Sequence, residues 1–122
     1  MPISADHVER FRRLHEGPQP LVMPNPWDAG SARLLAHLGF QALATTSSGF
    51  AGTLGRLDGR VTREEALAHA AVIADATDLP VNGDLENGFG DAPEEVAITI
   101  TGAIAPCGTS RRPPGRSGCR GT

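Results

Sequence analysis

Leu79-Pro80-Val81-Asn82-Gly83-Asp84-Leu85-Glu86-Asn87-Gly88-Phe89-Gly90-Asp91 reads as a short buried strand that delivers two carboxylates to its C-terminal end. Side chains at i and i+2 of a strand share a face, so this spacing predicts that Asp84 and Glu86 point to one place. Two hard oxygen ligands at a strand end suit Mg2+, which keeps several waters and needs few protein ligands. Gly88 and Gly90 let the following loop fold back closely. The plainer alternative is a strand that runs into an Asx-type turn whose acids are merely solvated.

Outward from this stretch the pattern is a β/α alternation over residues 1–104. Ser4 or Asp6 can cap a first helix to about Leu14, with Val8, Phe11 and Leu14 at helical spacing, and Gly17-Pro18-Gln19-Pro20 ends it. Leu21-Val22-Met23 reads as a brief strand stopped by Pro24 and Pro26. Asp28 or Ser31 can start the next helix, which carries Ala32, Leu34, Leu35 and Leu38 and has Gly39 as its C-cap. Gln41 to Thr45 reads as a second strand, and Thr46 to Arg60 as a long loop rich in glycine and serine. Thr62-Arg63-Glu64-Glu65 has capping-box spacing ahead of an alanine-rich helix to about Asp75. Leu79 to Gly83 is the third strand. Asp91-Ala92-Pro93-Glu94-Glu95 opens a last helix, whose inner positions are expected to be Val96, Ile100 and Ile104.

Three strands, each followed by a helix, predict a parallel sheet with right-handed crossovers. Ligands in such sheets collect at the C-terminal ends of the strands, where Pro24–Asp28, Thr45–Gly49 and Asp84–Asp91 all fall. The chain of 122 residues is too short for a complete eight-stranded barrel, which takes about 250 residues.

Charge divides the chain. Residues 1–104 hold all 14 acids against seven arginines, a net −7, whereas residues 105–122 hold Arg111, Arg112, Arg116 and Arg120 and no acid. Both cysteines, Cys107 and Cys119, lie in that last piece with three prolines, in a setting that argues against a zinc site and for disorder. The formal charge of −3 offers no footprint for nucleic acid or an anionic membrane. The charged N-terminus has no apolar signal core and no long apolar run follows, which points to a cytoplasmic protein.

Two further motifs bear on chemistry. Pro24-Asn25-Pro26-Trp27-Asp28-Ala29-Gly30-Ser31-Ala32 carries the only tryptophan. Either Asp28 and Trp27 read as a plain N-cap and a plug, or Asn25 and Trp27 are part of an active-site wall. Thr45-Thr46-Ser47-Ser48-Gly49-Phe50-Ala51 is either a simple turn or a set of backbone N–H groups able to hold a carboxylate or phosphonate oxygen. A nucleophile elbow is excluded because position 46 is threonine, and a lysine-bearing phosphate loop because the chain has no lysine. His7, His15, His37 and His69 lack metal-ligand spacing and read as ordinary helix residues.

Taken in order, the Pro24–Ala32, Thr45–Ala51 and Val81–Gly90 motifs resemble the isocitrate lyase/phosphoenolpyruvate mutase superfamily, with a likeness that covers about residues 7–104. The resemblance implies a (β/α)8 TIM barrel, of which this chain holds an N-terminal helix and about three βα units. It implies Mg2+ and a small carboxylic-acid substrate of the α-keto or enolate type, with C–C or P–C bonds made or broken. Asp84 and Glu86 match the acids that hold the metal, and Asp58 a loop acid that reaches a metal-bound water. Ser48, Gly49 and Phe50 match the backbone anion site, and Trp27 the aromatic wall. Full-length relatives are expected to be homo-oligomeric.

The family pattern stops after Ile104, where a further acid and a cysteine-bearing loop belong, and Cys107 and Cys119 do not match that loop. The expectation is therefore an N-terminal barrel fragment, 1–104, followed by a disordered tail, 105–122, with the look of an out-of-frame or replaced C-terminus. Such a chain is expected to carry no complete catalytic set and to be inactive as a lyase or phosphonomutase. The alternative is a non-catalytic binding or assembly module with an acidic cation site.

Overall fold

The computed structural model describes residues 5–104; the expectations for Ser4 and for the 105–122 tail fall outside these residues. In chain order the elements are α1 (Ala5–Leu14), α2 (Ala29–His37), β1 (Leu43–Ala44), α3 (Ser47–Thr53), α4 (Arg63–Ala76), β2 (Val81–Asn82) and α5 (Pro93–Ile104). β1 and β2 pair in parallel, Leu43 opposite Val81 and Ala44 opposite Asn82. The ladder is extended at both ends by Leu43 N–H to Pro80 O at 3.0 Å and Thr45 N–H to Asn82 O at 2.9 Å.

The helices start where the sequence puts their caps. Asp28 and Ser31 form a reciprocal capping box at α2, and Thr62 and Glu65 form another at α4. Gly39, at φ +93, follows the α2 C-cap Leu38. α4 packs against both α2 and α5. The core lies between this layer and the strands: Ala32 of α2, Leu43 of β1 and Ile73 of α4 are fully buried, with Leu35, Ala76, Leu79 and Val81 against them. Helix α1 buries no residue and is laced by Glu9 to Arg12 and Arg13, pairs that contribute little at the surface. No helix among the described residues is long and apolar enough to cross a membrane.

Four expectations need correction. Leu21–Met23 is not a strand: Pro20, Pro24 and Pro26 have no N–H, and the one main-chain bond between this stretch and β1 is Ala44 N–H to Pro24 O, so no ladder forms. The other two strands are each shorter than expected. Residues 46–60 are not all loop, because Ser47–Thr53 is helical. On α5 the buried residue is Thr99, while Ile100 and Ile104 are 47% and 58% exposed. The Thr99 hydroxyl donates to Gly88 O at 2.6 Å, a demand that apolar spacing does not register.

Candidate functional site

The site grows from the C-terminal ends of β1 and β2. After Ala44 the chain turns at Thr46, whose backbone is extended (φ −140, ψ 122) and whose hydroxyl accepts from Gly49 N–H to cap α3. After Asn82 the chain leaves the sheet. Asp84 N–H donates to the Thr45 hydroxyl at 2.8 Å, which fixes the Asp84 backbone beside β1.

Asp84 then binds across the gap. Its Oδ2 accepts from Ser47 N–H at 2.9 Å, and its Oδ1 accepts from Glu86 N–H at 3.1 Å. Partial burial pushes this carboxyl up, but the N–H groups of Ser47 and Glu86 and the Ser47 hydroxyl outweigh it and hold it below the ordinary carboxylate value. The charge also faces the first turn of α3, where an anion is favoured.

Glu86 comes to the same cavity by another route than the expected strand alternation. β2 ends at Asn82, and Glu86 sits in a turn with φ +51, closed by Gly88 N–H to Leu85 O at 2.8 Å. Gly88 itself has φ +84, and a Cβ there would lie 2.9 Å from Val96, so glycine is required twice over. The turn is tied down by the Thr99 bond to Gly88 O and by Arg63 Nη2, which donates to Phe89 O at 2.9 Å. Asp84 and Glu86 thus line one cavity with Thr45, Thr46, Ser47, Phe50 and His69, with about 10 Å3 of open space, room for roughly one water.

Asp58 does not line that cavity. It accepts from the Ser47 hydroxyl at 3.3 Å, so Ser47 bridges Asp58 and Asp84 through two different groups. Of the Ser48, Gly49 and Phe50 backbone donors, two are engaged within α3: Gly49 N–H by the Thr46 hydroxyl and Phe50 N–H by Thr46 O. Trp27 is 54% exposed, and its indole lies so close over Gly49 that a Cβ there would meet Nε1 at 2.5 Å. Asn25 donates to Ala44 O at 3.0 Å, which ties the Trp27 segment to the end of β1.

His69, read from the sequence as an ordinary helix residue, lines the cavity and stacks on Phe50. A lone histidine inside a helix carries no local signal for this. Only the packing of α4 against the strand ends reveals it.

Among the described residues no group of three or more His, Cys, Asp or Glu side chains is gathered as a metal cage. The donor chemistry at Asp84 and Glu86 fits a hydrated hard cation. The ligands are carboxylate oxygens, Asp84 is held ionised, and each of its oxygens accepts one N–H and keeps capacity for another partner.

Fold and site together define an α/β protein whose parallel strands present acids and a capped helix start at one edge. The sequence matches the phosphoenolpyruvate phosphomutase family over residues 11–108. The chain belongs to the phosphoenolpyruvate mutase/isocitrate lyase superfamily. It is 36% identical over 85 residues to 2,3-dimethylmalate lyase of Eubacterium barkeri, covering 68% of this chain and 29% of that relative. The structure superposes on a crystal structure of a lyase/mutase-type protein from Burkholderia cenocepacia J2315 with TM-score 0.78 and 56% identity, over 81% of this chain and 36% of that one. It also superposes on a crystal structure of 2,3-dimethylmalate lyase, a member of the same superfamily, with TM-score 0.72 and 31% identity, over 83% and 36%. The chain spans about a third of the length of the curated relatives it matches.

Proposed function

We propose that residues 1–104 are the first βα units of a (β/α)8-barrel lyase or mutase that acts on C–C or P–C bonds of small α-keto or enolate-type acids with Mg2+. The observation that carries this reading is the bridge from Ser47 to both Asp84 and Asp58, because it ties two of the acids to the start of α3 at the strand ends. Asp84 and Glu86 would hold the cation, with Asp58 reaching a water of its shell. Bound there, Mg2+ supplies a Lewis-acid charge that offsets negative charge developing on a substrate oxygen.

The chain's own groups do the rest of what this fragment contributes. With Ser47, Gly49 and Phe50 N–H engaged, the Ser48 N–H is the first-turn donor left for a substrate carboxylate. Phe50 lines the cavity, and Trp27, 54% exposed and outside that lining, would offer a second apolar wall beside α3. Because the chain spans about a third of its relatives, this set is taken as part of a catalytic apparatus, and the chain alone is expected to bind without turnover.

Titration calorimetry with Mg2+, then with pyruvate in its presence, tests the reading. Saturable Mg2+ binding that Asp84→Asn weakens at least tenfold, followed by Mg2+-dependent pyruvate binding, is the expected result. Mg2+ binding without any pyruvate binding favours the non-catalytic module. Turnover of 2-methylisocitrate, phosphonopyruvate or oxaloacetate, abolished by Asp84→Ala, would show a complete enzyme.

A further inference from the structure

His69 is joined to both walls of the proposed site. Its ring lies on that of Phe50, with centroids 3.9 Å apart and planes 9° from parallel. Its Nε2 stands 2.9 Å from the main-chain oxygen of Trp27. A carbonyl oxygen only accepts, so Nε2 carries the proton of this contact.

These contacts close a ring. Phe50 and Gly49 are neighbours in α3, the Trp27 indole lies over Gly49 within the reach of a missing Cβ, and the Trp27 carbonyl returns to His69. The two walls come from segments that precede α4 and are separated from each other by α2 and β1. Asn25 to Ala44 O and the indole over Gly49 tie them on one side, and His69 of α4 contacts both from the other.

We propose that His69 is a positioning residue for the substrate wall, holding Trp27 through its carbonyl and Phe50 through its ring and so setting the width between them. This rests on the reading above that Trp27 and Phe50 face the substrate. A residue that only packs α4 against α3 would need the ring and not the N–H donor. The two roles therefore separate by substitution: His69→Gln keeps an amide N–H near the Nε2 position and loses the ring, whereas His69→Phe keeps the ring and loses the donor.

Trp27 is the only tryptophan of the 122-residue chain, so its fluorescence reports this wall alone. Time-resolved anisotropy would be recorded for the 122-residue chain and both variants, with melting curves alongside. In His69→Phe the amplitude of the sub-nanosecond indole motion is expected to rise about twofold, while His69→Gln stays near the parent chain. Equal motion in the parent and His69→Phe, or an equal rise in both variants, would overturn the proposal.

Should the variants fail to fold, 15N spectra of the imidazole in the parent chain decide. A single Nε2–H tautomer with a slowly exchanging proton supports the role, and a mixture of tautomers in fast exchange with water refutes it. Pyruvate titration in the presence of Mg2+ completes the experiment, with weaker binding expected in His69→Phe. If the parent chain binds no pyruvate, the proposed function fails while the anisotropy result still decides the role of His69.

Discussion

Helices α3 and α4 stand side by side along the chain and form for opposite reasons. α4 is specified from within: the Thr62–Glu65 capping box, an acidic first turn and a run of alanines and leucine favour it, and Ile73 then plugs it into the core. α3 has Gly49 and Gly52 among seven residues and buries only Ala51. Beyond its own Thr46 cap it is assembled from outside, by the Asp84 carboxylate on Ser47 N–H and the Trp27 indole laid over Gly49. The helix that builds the candidate site is therefore the one with the weakest local preference.

The largest expected effect tests whether α4 is also anchored. Ile73 is fully buried, so Ile73→Ala should destabilise the chain by about 2–5 kcal/mol in urea unfolding. A smaller loss would mean that α4 stands on its propensity alone. Next comes Gly49→Val, which drives a side chain into Trp27 and Thr46 and should cost about 1–3 kcal/mol with a shift of the Trp27 emission. An unshifted emission would break the claim that α3 is held from outside. Removing the α4 cap with Thr62→Ala should cost about 1 kcal/mol, measured by the same unfolding curves.

The smallest effect is in acid. The Glu65 carboxyl is held below its ordinary 4.5, first by Thr62 N–H and then by Arg56. A group depressed in the folded state stabilises fully above its unfolded value, and that stabilisation disappears as pH falls through the folded value. Melting temperature should therefore drop below about pH 4.5, and Glu65→Gln should make that acid limb shallower. An unchanged limb would place the acid sensitivity elsewhere, with Asp84 and Asp28, whose carboxyls are also held low, as the next to replace.

The same contrast explains what could be read in the sequence. Caps at Asp28 and Thr62 and the start of α5 at Pro93 are local chemistry and were legible, as were β1 and β2 as a parallel pair. α3 was not, because serine and glycine disfavour a helix until Asp84 and Trp27 arrive from elsewhere in the chain. The inner face of α5 was misjudged for a similar reason. Its isoleucines set the apolar period, yet Gly88 O needed a donor, Thr99 supplied one, and Gly102 let Leu67 of α4 come close. The acids were visible as a pair, but the turn that brings Glu86 beside Asp84 depends on a left-handed residue that no spacing announces.

The pairing of Leu43 with Val81 also has a consequence in time. A nascent chain emerging at ~5–20 residues per second exposes β1 for about 2–8 s before its partner exists. Within that interval α4 can form on its own, since a helix closes in about a microsecond. By folding first it shortens the flexible span that must be looped when the ladder zips, and so lowers the entropy of closure. The delay leaves Ala42, Leu43 and Ala44 without their partner strand for that time, and the capping box at Thr62, by favouring α4, shortens the span left to close.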